Sequence, residues 1–231
     1  MKNKKFYVFL AVLPALILIA SLNLDGKALS MRTAPAQVDP GTDQRFTLPS
    51  EVGKQIDLRV AEVYSAYTRI TDNAESISVS VPVEWSDIDT GPWTYNGRSS
   101  GIFLSASTDL SRFNADGSAP GLLIGVSSSL ARTSGKDQLL GAERADFSRR
   151  CIYKGNFNFQ GLFYNGSYDN YSNCSSGGSD LLVFTTTSAD RKLLIMLRIA
   201  IQSDADLEAA SKILETFQVL GNPETDSHHD H

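Results

Sequence analysis

Apolar residues at alternate positions mark the first strands of this 231-residue chain. Tyr67 to Thr71 and Ser76 to Val81 lie on either side of the turn-forming pair Asp72-Asn73. This predicts a β-hairpin with Ile77, Val79 and Val81 on one face. Pro82 ends the second strand because it has no N–H to give to a ladder, and Trp85 follows as a core anchor. The loop from there to Gly97 carries Trp93 and Tyr95. Gly101 to Ala106 and Leu122 to Val126 read as two further strands, separated by Asp109 to Phe113 and a Gly/Pro-containing turn. Ser134 or Asp137 caps a predicted helix running to about Phe147, with Leu139, Leu140, Ala142 and Phe147 on its core side.

Beyond Cys151 the chain becomes crowded with aromatic residues. Tyr153, Phe157, Phe159, Phe163, Tyr164, Tyr168 and Tyr171 are a third of its 21 aromatics, and Gly161, Asn165-Gly166 and Asp169-Asn170 punctuate them. The pattern predicts strand, turn and strand. Half of the aromatics in such a pair must face the core, which favours packing over a platform that stacks on sugars or peptides. Leu181 to Thr187 and Lys192 to Gln202 form a second hairpin around Ala189-Asp190. Its second strand is a nearly continuous apolar run and should be central. Asp204 caps the last helix, Asp206 and Glu208 lie in its first turn, and Leu207, Ala210, Ile213, Leu214 and Phe217 form the stripe that packs on the sheet.

Upstream, Leu58, Ala61, Val63 and Tyr64 suggest a short helix from Asp57, and residues 31–56, with Pro35, Pro40-Gly41 and Pro49, read as a linker. Lys2, Lys4 and Lys5 precede the apolar run Phe6 to Ala20. Residues 1–30 therefore read as a signal peptide or an N-terminal membrane anchor, with the lysines cytoplasmic and the remainder outside. The pattern gives one α+β domain over residues 57–221 and a polar tail over 222–231.

Charge removes one class of partner. Setting aside residues 1–30 leaves 17 basic residues against 25 acidic ones, a net charge of −8. No basic patch remains to release counterions from a nucleic acid. Histidine chemistry is also excluded from the domain, because His228, His229 and His231 all lie in the last four residues. No lysine has a serine three residues before it, and the phosphate-cradling Gly-x-x-x-x-Gly-Lys-Ser/Thr is absent. Asp87-x-Asp89-x-Gly91 resembles the start of a calcium loop but lacks its later ligands and reads as a solvated turn. The histidine tail is a weak candidate for a transition metal, and no cofactor is expected.

Cys151 and Cys174 are the only cysteines and follow an export segment. They have no further metal ligands nearby and are not spaced as Cys-x-x-Cys, so they are expected to form a disulfide. Trp93, after Gly91-Pro92, and Tyr95 are the candidate binding surface.

A resemblance rests on short motifs across residues 76–219. These are Val81-Pro82-x-x-Trp85, Ser105-Ala106-Ser107-x-Asp109-Leu110, Pro120-Gly121, the block from Cys151 through Gly161, Tyr164 and Tyr168 to Cys174, and Asp204-x-Asp206-Leu207 with Ile213-Leu214-x-Thr216-Phe217-x-Val219. Together they resemble a small exported bacterial domain that also occurs appended to trypsin-like serine protease domains. The closing pattern is similar to PsbP-like folds. The resemblance implies a twisted antiparallel sheet flanked by helices, a PsbP-like α/β/α sandwich. It supplies no catalytic motif, and proteolysis is not inherited from it. The expectation is a non-enzymatic extracytoplasmic binding or accessory module whose partner is an envelope protein or glycan. The alternative is a carboxylate-based hydrolase of envelope glycans, which would need two carboxylates at a fixed separation in a cleft.

Overall fold

The computed structural model describes residues 63–175 and 177–220. The export segment, the linker, the start of the short helix expected from Asp57 and the histidine tail lie outside the described residues.

The alternation around Asp72 becomes the antiparallel pair β1 (Tyr67–Thr71) and β2 (Ile77–Pro82), in which Ile70 faces Val79. Ile77, Val79 and Val81 are fully buried, as the period-2 pattern requires. Trp85 is buried behind them. Its indole N–H donates to the Tyr64 hydroxyl at 2.9 Å, and that hydroxyl donates in turn to Asp206, so the ring's one polar group is satisfied.

The next segments build one seven-stranded antiparallel sheet. Its strands are β3 (Asp87–Tyr95), β4 (Arg98–Ser107), β5 (Gly121–Ser127), β6 (Ile152–Gln160), β7 (Asn165–Ser172), β8 (Asp180–Thr187) and β9 (Leu194–Ile201). Their order is β3-β4-β5-β9-β8-β7-β6. The apolar run read as central is β9, the fourth of seven. Helices α1 (Leu110–Asp116), α2 (Ser128–Thr133), α3 (Lys136–Phe147) and α4 (Asp204–Thr216) complete the fold, and β10 (Gln218–Val219) joins β1 and β2 in a small second sheet.

Two apolar layers lie on opposite faces of the large sheet. One face sets Leu104, Ile124, Phe184, Leu197 and Ile199 against Ile77, Val79 and Val81 and against Ala209, Ile213 and Phe217 from α4 and its end. The other sets Leu123, Val183, Met196 and Tyr171 against Leu110 and Phe113 of α1, Leu130 of α2 and Leu139, Leu140 and Phe147 of α3. The α+β class, with an antiparallel sheet flanked by helices, is the observed architecture.

Several expectations are corrected. The region read as a loop from Trp85 to Gly97 is largely strand β3. Pro92 is tolerated there because β3 is an edge strand and its missing N–H costs no ladder bond. Asp87 and Asp89 lie in that strand rather than in a turn, and Asp87 accepts from Leu110 N at 2.8 Å. Asp109 to Phe113 is the opening of helix α1, capped by Asp109 and closed by Gly117 at φ 72°. The cap of α3 is Gly135 rather than Ser134 or Asp137, and Ala142 is exposed. Ser203, not Asp204, caps α4. The β6–β7 turn falls at Gly161 to Tyr164, while Asn165-Gly166 and Asp169-Asn170 lie within β7.

Trp93 differs most from the expectation. It is 7% exposed and rests on the β5 backbone at Gly125, where an added Cβ would stand 2.7 Å from the indole. A strand glycine here allows a large ring to pack flat on the sheet. Gly125→Ala forces the ring or the strand to move, and chemical denaturation is expected to show a loss of about 1–3 kcal/mol. A loss below about 0.5 kcal/mol would mean that the ring moves aside freely.

Candidate functional site

Chain direction brings three segment ends together on the α3 side of the sheet: the C-terminus of α1, the C-terminus of α3 and the start of β8. Cys151 follows α3, Cys174 follows β7, and the two form the expected disulfide. Beside the bridge is a recess of about 20 Å³, room for one water molecule, inside a hollow of about 410 Å³ that includes open solvent. Phe113, Phe147, Leu181, Ala200 and the disulfide give it mostly apolar walls. Its charged lining residues are Asp116, Arg150, Asp180 and Arg198.

Three of these four have ordinary roles. Asp116 accepts from Ser118 N at 2.9 Å, and hydrogen bonds from Ser118 hold its carboxyl below the ordinary range. Arg150 covers the Phe147 ring at 4.6 Å, approaches Asp146 at 3.9 Å and donates to the Ala115 carbonyl. Asp180 is half-buried, and desolvation pushes its carboxyl up against the pull of Lys154.

Arg198 is different. It projects from the middle of β9 toward α3, 5.9 Å from the Phe147 ring centroid. The side chain as a whole is half-buried, yet its Nε is closed off from solvent and has no hydrogen-bond partner. Burial lowers the guanidinium's proton affinity while nearby Glu143 raises it. Glu143 is pushed up by its own desolvation, and the ion pairs among the described residues do not include it with Arg198. A buried donor without an acceptor costs about 1–3 kcal/mol, more for a charged group. The fold thus leaves the Arg198 Nε donor without an acceptor.

The nearby Asp169 shows the contrasting case. It is fully buried on β7 and accepts from Arg144 Nε and Nη2, both at 2.8 Å, from Asn156 Nδ2 at 2.8 Å and from the hydroxyls of Tyr153 and Tyr171 at 3.3 and 3.2 Å. Five donors saturate one carboxylate, which fixes α3 to the sheet and leaves no lone pair for chemistry. Among the described residues no group of three His, Cys, Asp or Glu side chains is placed to hold a metal ion, and no helix is long and apolar enough to cross a membrane.

The structure separates the residues singled out by sequence. Cys151 and Cys174 line the recess, whereas Trp93 is buried and Tyr95 half-buried at the edge strand, with ring centroids 6.3 Å apart. Trp93 is therefore not exposed, because Gly125 leaves space for it inside the fold. The aromatics of β6 and β7 divide as strand geometry requires. Phe159, Tyr168 and Tyr171 are buried, and Phe163 stays exposed at the hairpin tip. Arg198 was missed, although it is the one charge within the apolar β9 run.

No family model matches the chain, and no curated protein matches it. Among solved structures the chain is similar to cyanobacterial PsbP (CyanoP) from Synechocystis sp. PCC 6803, with 12% identity over 74% of this chain and 99% of that one and a TM-score of 0.39. It is also similar to PA94, a protein of unknown function from Pseudomonas aeruginosa, with 11% identity over 62% of this chain and 88% of that one and a TM-score of 0.28. Likeness at this level carries no functional argument, and the site stands on its own geometry.

The sign of the Asp180 shift gives a test of the recess. A raised folded value means the folded chain holds that proton more tightly than the unfolded chain. The resulting stability is complete below the ordinary value of 3.8 and is lost as pH rises through the folded value. Asp180→Asn, which never ionises, is expected to raise Tm at about pH 7 and leave it unchanged at about pH 3. Equal shifts at the two pH values in a thermal scan would contradict the burial argument.

Proposed function

We propose that this chain is an exported, non-enzymatic binding or accessory module that engages its partner, an envelope protein or glycan, through the recess beside the Cys151–Cys174 bridge. One observation carries the reading: Arg198 is a cation in the central strand with no protein acceptor for its Nε. A guanidinium so placed suits recognition, because its donors form a rigid fork. The disulfide supports export, since such bonds persist in oxidising compartments.

The hydrolase alternative has one feature in its favour. Asp116 and Asp180 line the same hollow with opposite shifts, the pattern of an acid and base pair. Against it, the enclosed space takes one water rather than a sugar ring. The test is incubation of the exported protein with peptidoglycan fragments and an assay for new reducing ends. The binding reading expects no release above that of the Asp116→Asn/Asp180→Asn variant. Release abolished by that double substitution would establish the hydrolase instead.

A further inference from the structure

We propose that the recess binds a monocarboxylate, with Arg198 donating to the ligand's oxygens, a reading that rests on the binding function above and names its ligand class. The guanidinium fork matches the planar, two-oxygen geometry of a carboxylate. Arg150 is already engaged by Asp146, the Ala115 carbonyl and the Phe147 ring, which leaves the Arg198 guanidinium, whose Nε has no acceptor, to meet the negative charge. Asp116 and Asp180 at the same hollow disfavour ligands of higher negative charge. Glu143 faces Arg198 from α3, and the ion pairs among the described residues do not join the two.

Size and polarity narrow the class further. The enclosed space admits a single water-sized atom, which suits one oxygen of a carboxylate with the rest of the group in the wider hollow. Phe113, Phe147, Leu181, Ala200 and the disulfide sulfurs form the walls, so the carbon next to the carboxylate is apolar. A free short-chain acid and the C-terminal carboxylate of a peptide ending in an apolar residue present this same group.

Calorimetric titration and thermal shift distinguish the two sources. The probes are sodium butyrate and an acetylated tripeptide ending in a free leucine carboxylate, with the tripeptide carboxamide, inorganic phosphate and glucose as controls. Butyrate or the free tripeptide is expected to bind and raise Tm, while the carboxamide gives no response. Response to the tripeptide alone identifies a chain terminus of an envelope protein, and response to butyrate identifies a small acid in place of the envelope partner proposed above. Arg198→Met combined with Glu143→Gln removes the guanidinium together with the carboxylate facing it. This variant is expected to melt no lower than the wild type and to bind the carboxylate at least about tenfold more weakly. Unchanged carboxylate affinity in the variant overturns the assignment. A response to phosphate or glucose that depends on Arg198 overturns the ligand class and leaves the binding function standing. Silence of the wild type toward every probe overturns both.

Discussion

Arg144→Met is expected to lower stability by about 3–5 kcal/mol, because it leaves the buried Asp169 carboxylate without its counter-ion in a site that water does not reach. The remaining Asn156, Tyr153 and Tyr171 donors are neutral and do not replace a bidentate guanidinium. For a domain of this size the loss corresponds to a fall in Tm on the order of 10 °C. Asp169→Asn should cost less, because the Arg144 side chain is 39% exposed and can turn to water. Denaturant unfolding of both variants checks the order. A loss below about 1 kcal/mol for Arg144→Met, or a larger loss for Asp169→Asn, would show that this pair does not fix α3 to the sheet.

Removal of the disulfide is the second large effect. Cys151 and Cys174 are 23 residues apart, and loop closure over that length stabilises the folded state by about 3.5 kcal/mol in the chain-entropy account. Cys151→Ala/Cys174→Ala is the appropriate variant, because serine would place a hydroxyl at the buried Cys174 position. The effect should be local as well as global. The bridge clamps the base of the β6–β7 hairpin, and β6 is the edge strand with the most exposed residues on that side of the sheet. Amide hydrogen exchange is expected to accelerate most in Ile152–Gln160 and least in the central strand β9. Uniform acceleration across all strands, or a stability loss below about 1 kcal/mol, would contradict the role given to the bridge.

The sequence made the regular elements legible where one physical signal dominated. Ile77, Val79 and Val81 alternate cleanly because β2 buries that face, and β9 reads as continuous because it is covered on both faces. The short helices α1 and α2 escaped because six or seven residues hold under two full turns of periodicity. Their caps, Asp109 and Ser127, were nevertheless visible signals. Gly91-Pro92 was read as a loop because proline disfavours strands in general, and sequence does not show which strand is an edge. Trp93 followed that error, since the glycine beneath it lies 32 positions away on β5.

The site was less legible than the fold for a related reason. Asp169 reads as turn chemistry beside Asn170, and its five donors come from α3, β6 and β7, which only the folded chain brings together. Arg198 carried a signal, a single charge inside Leu194–Ile201, but the apolar run was read for its length. The cysteines were read as a structural bridge, and nothing in their spacing reveals the cation that shares their recess.

The most direct test of the account is the 15N-arginine NMR spectrum of the exported protein, observed at the Arg198 Nε–H with and without sodium butyrate or the free-acid tripeptide. The account predicts a ligand-free resonance with no hydrogen-bond coupling to a protein acceptor and a saturable downfield shift as the carboxylate is added. A resonance that already shows such coupling without ligand, and does not respond to either carboxylate, would contradict it.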